Sequence, residues 1–204
     1  MKKSFVFFCT LMVGALSFSS CNKSLKDDVK DLRNQLGFDE PISVTTTFTD
    51  YKNESRTVTG VYKFKDGASG SNALIKNANG TYTIRIERGD AIHSDEGVEL
   101  YFTYDPTTKK ILEKGSTHYW EDQGTSNSYV NVQQYEAAIT GLTFNLDIKS
   151  IDLETGSISV EVKIEGTKEY SQAHSGYVPN SNSGFTTTYT FTGKLKKFTV
   201  NQPA

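Results

Sequence analysis

From residue 41 onward, apolar and polar side chains alternate with a period of two. Ile42, Val44, Thr46 and Phe48 lie on one side of an extended segment whose other side is Ser and Thr, and Val58, Gly60, Tyr62 and Phe64 continue the pattern. Tyr82, Ile84 and Ile86 alternate with Thr83, Arg85 and Glu87, and Val98, Leu100, Phe102 and Tyr104 alternate with Glu99, Tyr101 and Thr103. The same period returns over residues 142–148, 158–164 and 185–195. Strands with one dry and one wet face belong to antiparallel sheets, because strands covered by helices on both faces lose the alternation. Asn79-Gly80, Asp105-Pro106 and Leu153-Glu154-Thr155-Gly156 supply turns between neighbouring segments. The expected fold class is all-β: an antiparallel β-meander of about nine or ten strands, either closed as an up-and-down (lipocalin-like) barrel or folded over as a sandwich.

Ahead of Pro41 the period is helical. Leu25, Val29, Leu32 and Leu36 form one apolar stripe over residues 24–36, with Ser24 and Asp27 placed as a capping box and Gly37 as a stop. A helix this short is marginal alone, so the stripe must pack on something. The expected organisation is a segment 1–20 that is removed, a tether 21–39 with one short amphipathic N-terminal helix, and a single antiparallel β domain over 40–204.

Residues 1–20 have the form of an export signal: Lys2 and Lys3, then an uncharged apolar run from Phe5 to Phe18, then Ser19 and Ser20. As a helix that 14-residue run spans about 21 Å, short of a hydrocarbon core of about 30 Å. A transmembrane anchor is the poorer reading. Phe18-Ser19-Ser20-Cys21 resembles the lipobox of bacterial lipoproteins, with Phe18 where an aliphatic residue is usual, a relaxed form similar to that of small outer-membrane lipoproteins of Bacteroidota. The resemblance covers residues 1–28 and implies lipidation of Cys21, palmitate among the acyl groups, and a membrane as partner through that lipid. Asn22 in place of Asp implies the outer membrane of the cell envelope. Lys23 precedes the acidic pair Asp27-Asp28, so both the cell surface and the periplasmic face stay open.

Cys9 leaves with the signal and Cys21 is committed to lipid, so the mature chain forms no internal disulfide and must rely on packing. The 22 basic and 24 acidic residues become 20 and 24 without Lys2 and Lys3, a net charge of −4. That balance excludes nucleic acid as a partner.

Candidate chemistry is sparse. His118, Tyr119 and Trp120 stand together before Glu121 and Asp122, and aromatic faces beside acidic acceptors suit a sugar ring or another flat ligand. Glu121 and Asp122, adjacent on one strand, point to opposite faces and form no catalytic pair. His174 and Tyr177, in the loop 171–184, are further ligand-binding candidates. Asp90, His93, Asp95 and Glu96 lie in an interstrand loop without the donor spacing of a calcium loop, so no metal site is assigned. No nucleophile elbow, zinc-protease helix or nucleotide-binding glycine loop is present, so no catalytic residue and no cofactor is assigned. The expectation is a binding protein whose partner is a glycan, a small apolar molecule inside a barrel, or another protein; the alternatives are a structural or assembly subunit of an envelope complex and, third, an envelope hydrolase.

Overall fold

The computed structural model describes residues 40–50, 52–64, 72–90, 96–122, 126–134, 138–173 and 184–199. The signal 1–20, Cys21 and the helix expected over 24–36 lie outside them.

Eleven strands and one short helix make up these segments. Strands β1 (Ile42–Thr49), β2 (Ser55–Tyr62), β8 (Leu142–Ile151), β9 (Ser157–Gly166) and β10 (Phe185–Lys194) form one antiparallel sheet in the order β2-β1-β10-β9-β8. Strands β3 (Ala73–Lys76), β4 (Tyr82–Gly89), β5 (Gly97–Asp105), β6 (Lys110–Asp122), β7 (Ser126–Gln134) and β11 (Lys196–Thr199) form the other, in the order β11-β3-β4-β5-β6-β7. The helix α1 (Lys168–Ala173) starts where the Thr167 hydroxyl accepts a hydrogen bond from Tyr170 N, an N-cap interaction.

One of the two expected architectures is the one observed, and two other expectations change. The two sheets pack as a sandwich, and the closed barrel is not formed: among the described residues no ladder joins the sheets, and Lys63, just past β2, makes an isolated bridge to Gly89 at the end of β4. On another side, Lys114 of β6 reaches Phe144 O of β8 through its Nζ at 2.5 Å, so a side chain spans the gap that a ladder would have closed. The meander is broken where β2 and β3, and again β7 and β8, though consecutive in sequence, lie in different sheets, while β1 pairs with β10 across the chain's length. The fold is also not wholly antiparallel, since β11 runs parallel to β3.

The turns follow the sequence chemistry. Asn79 Oδ1 accepts from Thr81 N at 3.1 Å, Asp105 Oδ1 from Thr107 N at 2.8 Å, and Asp152 Oδ1 from Glu154 N at 2.8 Å. In each case the side chain opening the turn satisfies a backbone donor that the ladder has released.

The alternating apolar rows meet between the sheets. Ile42, Val44, Val160, Val162, Ile164 and Phe191 of one sheet face a core shared with Ile84, Ile86, Val98, Leu100, Phe102 and Val132 of the other. Burying each such side chain contributes about 1.5–3 kcal/mol, which is how a chain without a disulfide holds two sheets together. With its inner faces filled by these rows, the sandwich replaces the hollow barrel interior in which a small apolar ligand would have sat.

Candidate functional site

Strand alternation divides the segment His118-Tyr119-Trp120. His118 and Trp120 point inward and are 1% and 4% exposed, whereas Tyr119 is half-buried on the outer face of the six-stranded sheet. Trp120 packs against Phe48, ring centroids 6.0 Å apart, and against His118 at 4.9 Å. His174 and Tyr177 lie outside the described residues, as do His93 and Asp95.

The His118 imidazole joins the two sheets. Its Nδ1 is 2.7 Å from Thr46 Oγ1, which is 2.8 Å from Thr187 Oγ1, and its Nε2 is 3.1 Å from Tyr62 OH. Beside it, Ser116 Oγ lies 2.5 Å from Tyr189 OH. Either tautomer of the neutral ring satisfies both nitrogens, because a hydroxyl can donate or accept. No carboxylate bonds to the ring, and burial lowers its pKa from 6.5 to about 3. Burial, followed by the charges of Glu96 and Asp90, raises the Tyr62 hydroxyl, and burial raises that of Tyr189, so these partners also stay neutral. This arrangement fastens the sheets and leaves His118 no approach to a substrate.

The outer face of β5 and β6 is built differently. In the β5–β6 ladder Gly97 is opposite Tyr119, Glu99 opposite Thr117, and Tyr101 opposite Gly115. These six residues share the outward side, since Val98, Leu100, Ser116 and His118 between them are buried. Each tyrosine folds across onto the glycine of the neighbouring strand. A Cβ on Gly115 would lie 2.2–2.6 Å from Cε1, Cζ and OH of Tyr101, and one on Gly97 would lie 2.5 Å from Tyr119 OH and 2.6 Å from Arg88 O. Any side chain at either glycine would displace the ring above it, which gives these two glycines a role despite their cost in strand interiors. The result is a pair of tyrosine side chains laid over the ladder, each half-buried. Their rows are four residues apart, about 14 Å along the strand, with Glu99 and Thr117 midway between. Burial and then the neighbouring Glu87 raise the Glu99 carboxyl above the usual carboxylate range.

A concavity lies on the five-stranded sheet, an open depression of about 350 Å³ whose lining includes Thr47, Thr49, Ser55, Glu165 and Thr186. Its aromatic residues, Phe48 and Phe185, are 8% and 3% exposed and belong to the core. It offers hydroxyls and one carboxylate, with no ring face for stacking. Among the described residues no group of three His, Cys, Asp or Glu side chains could hold a metal ion.

Of the sequence candidates among the described residues, only Tyr119 joins the outer-face cluster. Tyr101 and Glu99 were legible as strand residues but not as its neighbours, and Thr117 stood in no marked segment. Gly97 and Gly115, glycines that the structure places inside strands, are the sign that something approaches the backbone closely there. No protein-family model matches the chain, and no curated protein or solved structure matches it.

Proposed function

We propose that this chain is a lipid-anchored protein of the bacterial outer membrane whose β-sandwich binds a glycan on the outer face of its six-stranded sheet. The observation that carries this reading is the reciprocal pair Tyr101 over Gly115 and Tyr119 over Gly97, with Glu99 and Thr117 between them. Sugar rings present C–H groups of partial positive charge, which suit the electron-rich face of an aromatic ring. Their hydroxyls suit a carboxylate acceptor and a threonine hydroxyl. A flat sheet face with anchors about 14 Å apart fits a chain of several sugar units lying along the strands. The Cys21 lipid would hold the chain at the membrane.

The test of binding is calorimetric titration of the full chain with oligosaccharides selected on a glycan array. Tyr101→Ala and Tyr119→Ala are each expected to weaken the best ligand about tenfold, the usual cost of losing an aromatic anchor. Thr47→Ala, in the depression of the opposite sheet, is expected to leave it unchanged. Full-strength binding by both tyrosine variants would remove the proposal. The anchor has its own check: metabolic labelling with a palmitate analogue is expected to vanish in Cys21→Ala, and labelling that survives would refute lipidation there.

A further inference from the structure

We infer that the glycan held on this face carries protonated amines, as in a chain of amino sugars, rather than neutral or acidic units; the inference rests on the glycan reading above. Glu87 of β4 is directly opposite Glu99 of β5, and both side chains point outward beside the tyrosine platform, since Ile86, Arg88, Val98 and Leu100 are buried. Residues so paired have Cβ atoms about 4.5–5.5 Å apart, and like charges in that position repel and destabilise the sheet. Arg85, the next outward residue on β4, is opposite Tyr101 and makes no ion pair with either carboxylate. The sheet therefore keeps two adjacent carboxylates beside two aromatic rings, with the Arg85 cation on the same face at the Tyr101 end.

The chemistry of the ligand decides what happens to that repulsion. An ammonium group on a stacked sugar would donate hydrogen bonds to both carboxylates and remove it. Hydroxyl donors alone would leave most of it in place, and a uronic acid would add to it. A free cation is a poorer occupant: two carboxylates on a flat face fall short of a divalent site, and a small ammonium compound cannot span both tyrosines. A polymer whose repeating unit pairs an apolar ring face with an amine meets both demands.

The experiment compares an oligomer of glucosamine with the same oligomer fully N-acetylated, titrated into the full chain by calorimetry at pH 6. The backbone is identical and only the charge differs. The amine form is expected to bind at least about tenfold more tightly, the weight of one charge-assisted hydrogen bond, with an advantage that shrinks as salt rises. Glu99→Gln and Glu87→Gln are each expected to narrow the difference between the two oligomers. Equal or tighter binding of the acetylated form, with loss of binding in Tyr101→Ala, would overturn the amine inference and leave the glycan platform standing. Failure of both oligomers to bind, or binding indifferent to Tyr101→Ala, would overturn the amine inference; with no glycan on the array sensitive to Tyr101, the platform reading falls too.

Discussion

Alanine in place of Arg88 is expected to cost the sandwich about 3 kcal/mol or more, a large part of a domain's usual stability of 5–15 kcal/mol, on the order of one third. The Arg88 side chain is fully buried. Its Nε donates to Glu40 O at 2.7 Å, and its Nη1 donates to Glu87 O at 2.8 Å and to Asn72 Oδ1. The guanidinium lies over two rings, 5.5 Å from the centroid of Phe64 and 4.9 Å from that of Phe191. Alanine would leave a cavity between those rings and remove one donor each from Asn72 Oδ1 and the part-buried carbonyls of Glu40 and Glu87. Arg88→Met, which keeps most of the volume and none of the donors, is expected to lose less than alanine. Urea unfolding of the three proteins measures both steps; an alanine variant as stable as the parent would contradict this account of the core.

The second large effect is acid lability through His118. The unfolded imidazole titrates near 6.5 and the folded one near 3, so between those values the unfolded chain binds one more proton. The contribution is fully present above pH 6.5 and is lost as pH falls toward 3, by about 1.4 kcal/mol per pH unit and roughly 5 kcal/mol in all. Asp105 and Asp152 add to acid lability, because hydrogen bonds from the Thr108 and Thr155 side chains first of all hold their carboxyls below the usual range. His118→Gln separates the contributions: it retains an amide able to bond Thr46 and Tyr62 but does not titrate. The slope of unfolding free energy against pH between 4 and 6 is expected to be shallower in that variant by nearly one proton. Parallel slopes would show that the folded imidazole is not held neutral.

The legibility of this fold followed the physics of each strand. Where one face is dry, as in β1, β4, β5, β8, β9 and β10, the period of two announced the strand. It failed for β3 and β11, four residues each, and for β7, whose sequence SNSYVNVQQ is mostly polar. There the ladder is set by partners distant in the chain, with too little apolar alternation to mark it. Residues 171–173, expected as loop, finish α1. Barrel and sandwich could not be separated because both satisfy the same alternation, and the choice depends on whether β2 pairs with β3 and β7 with β8. The site was harder still. Three chemically suggestive neighbours, His118, Tyr119 and Trp120, looked like one cluster in the sequence, yet the pleat sends two of them inward. The true neighbours of Tyr119 come from β5, through a register that no single strand reveals.

That register is also where the account is most exposed. Chemical-shift mapping of the isotope-labelled full chain during titration with its best glycan reads the binding face directly. The largest shifts are expected on residues 97–101 and 115–119 and on the rings of Tyr101 and Tyr119. Shifts concentrated instead at Thr47, Thr49 and Thr186 on the opposite sheet would contradict it.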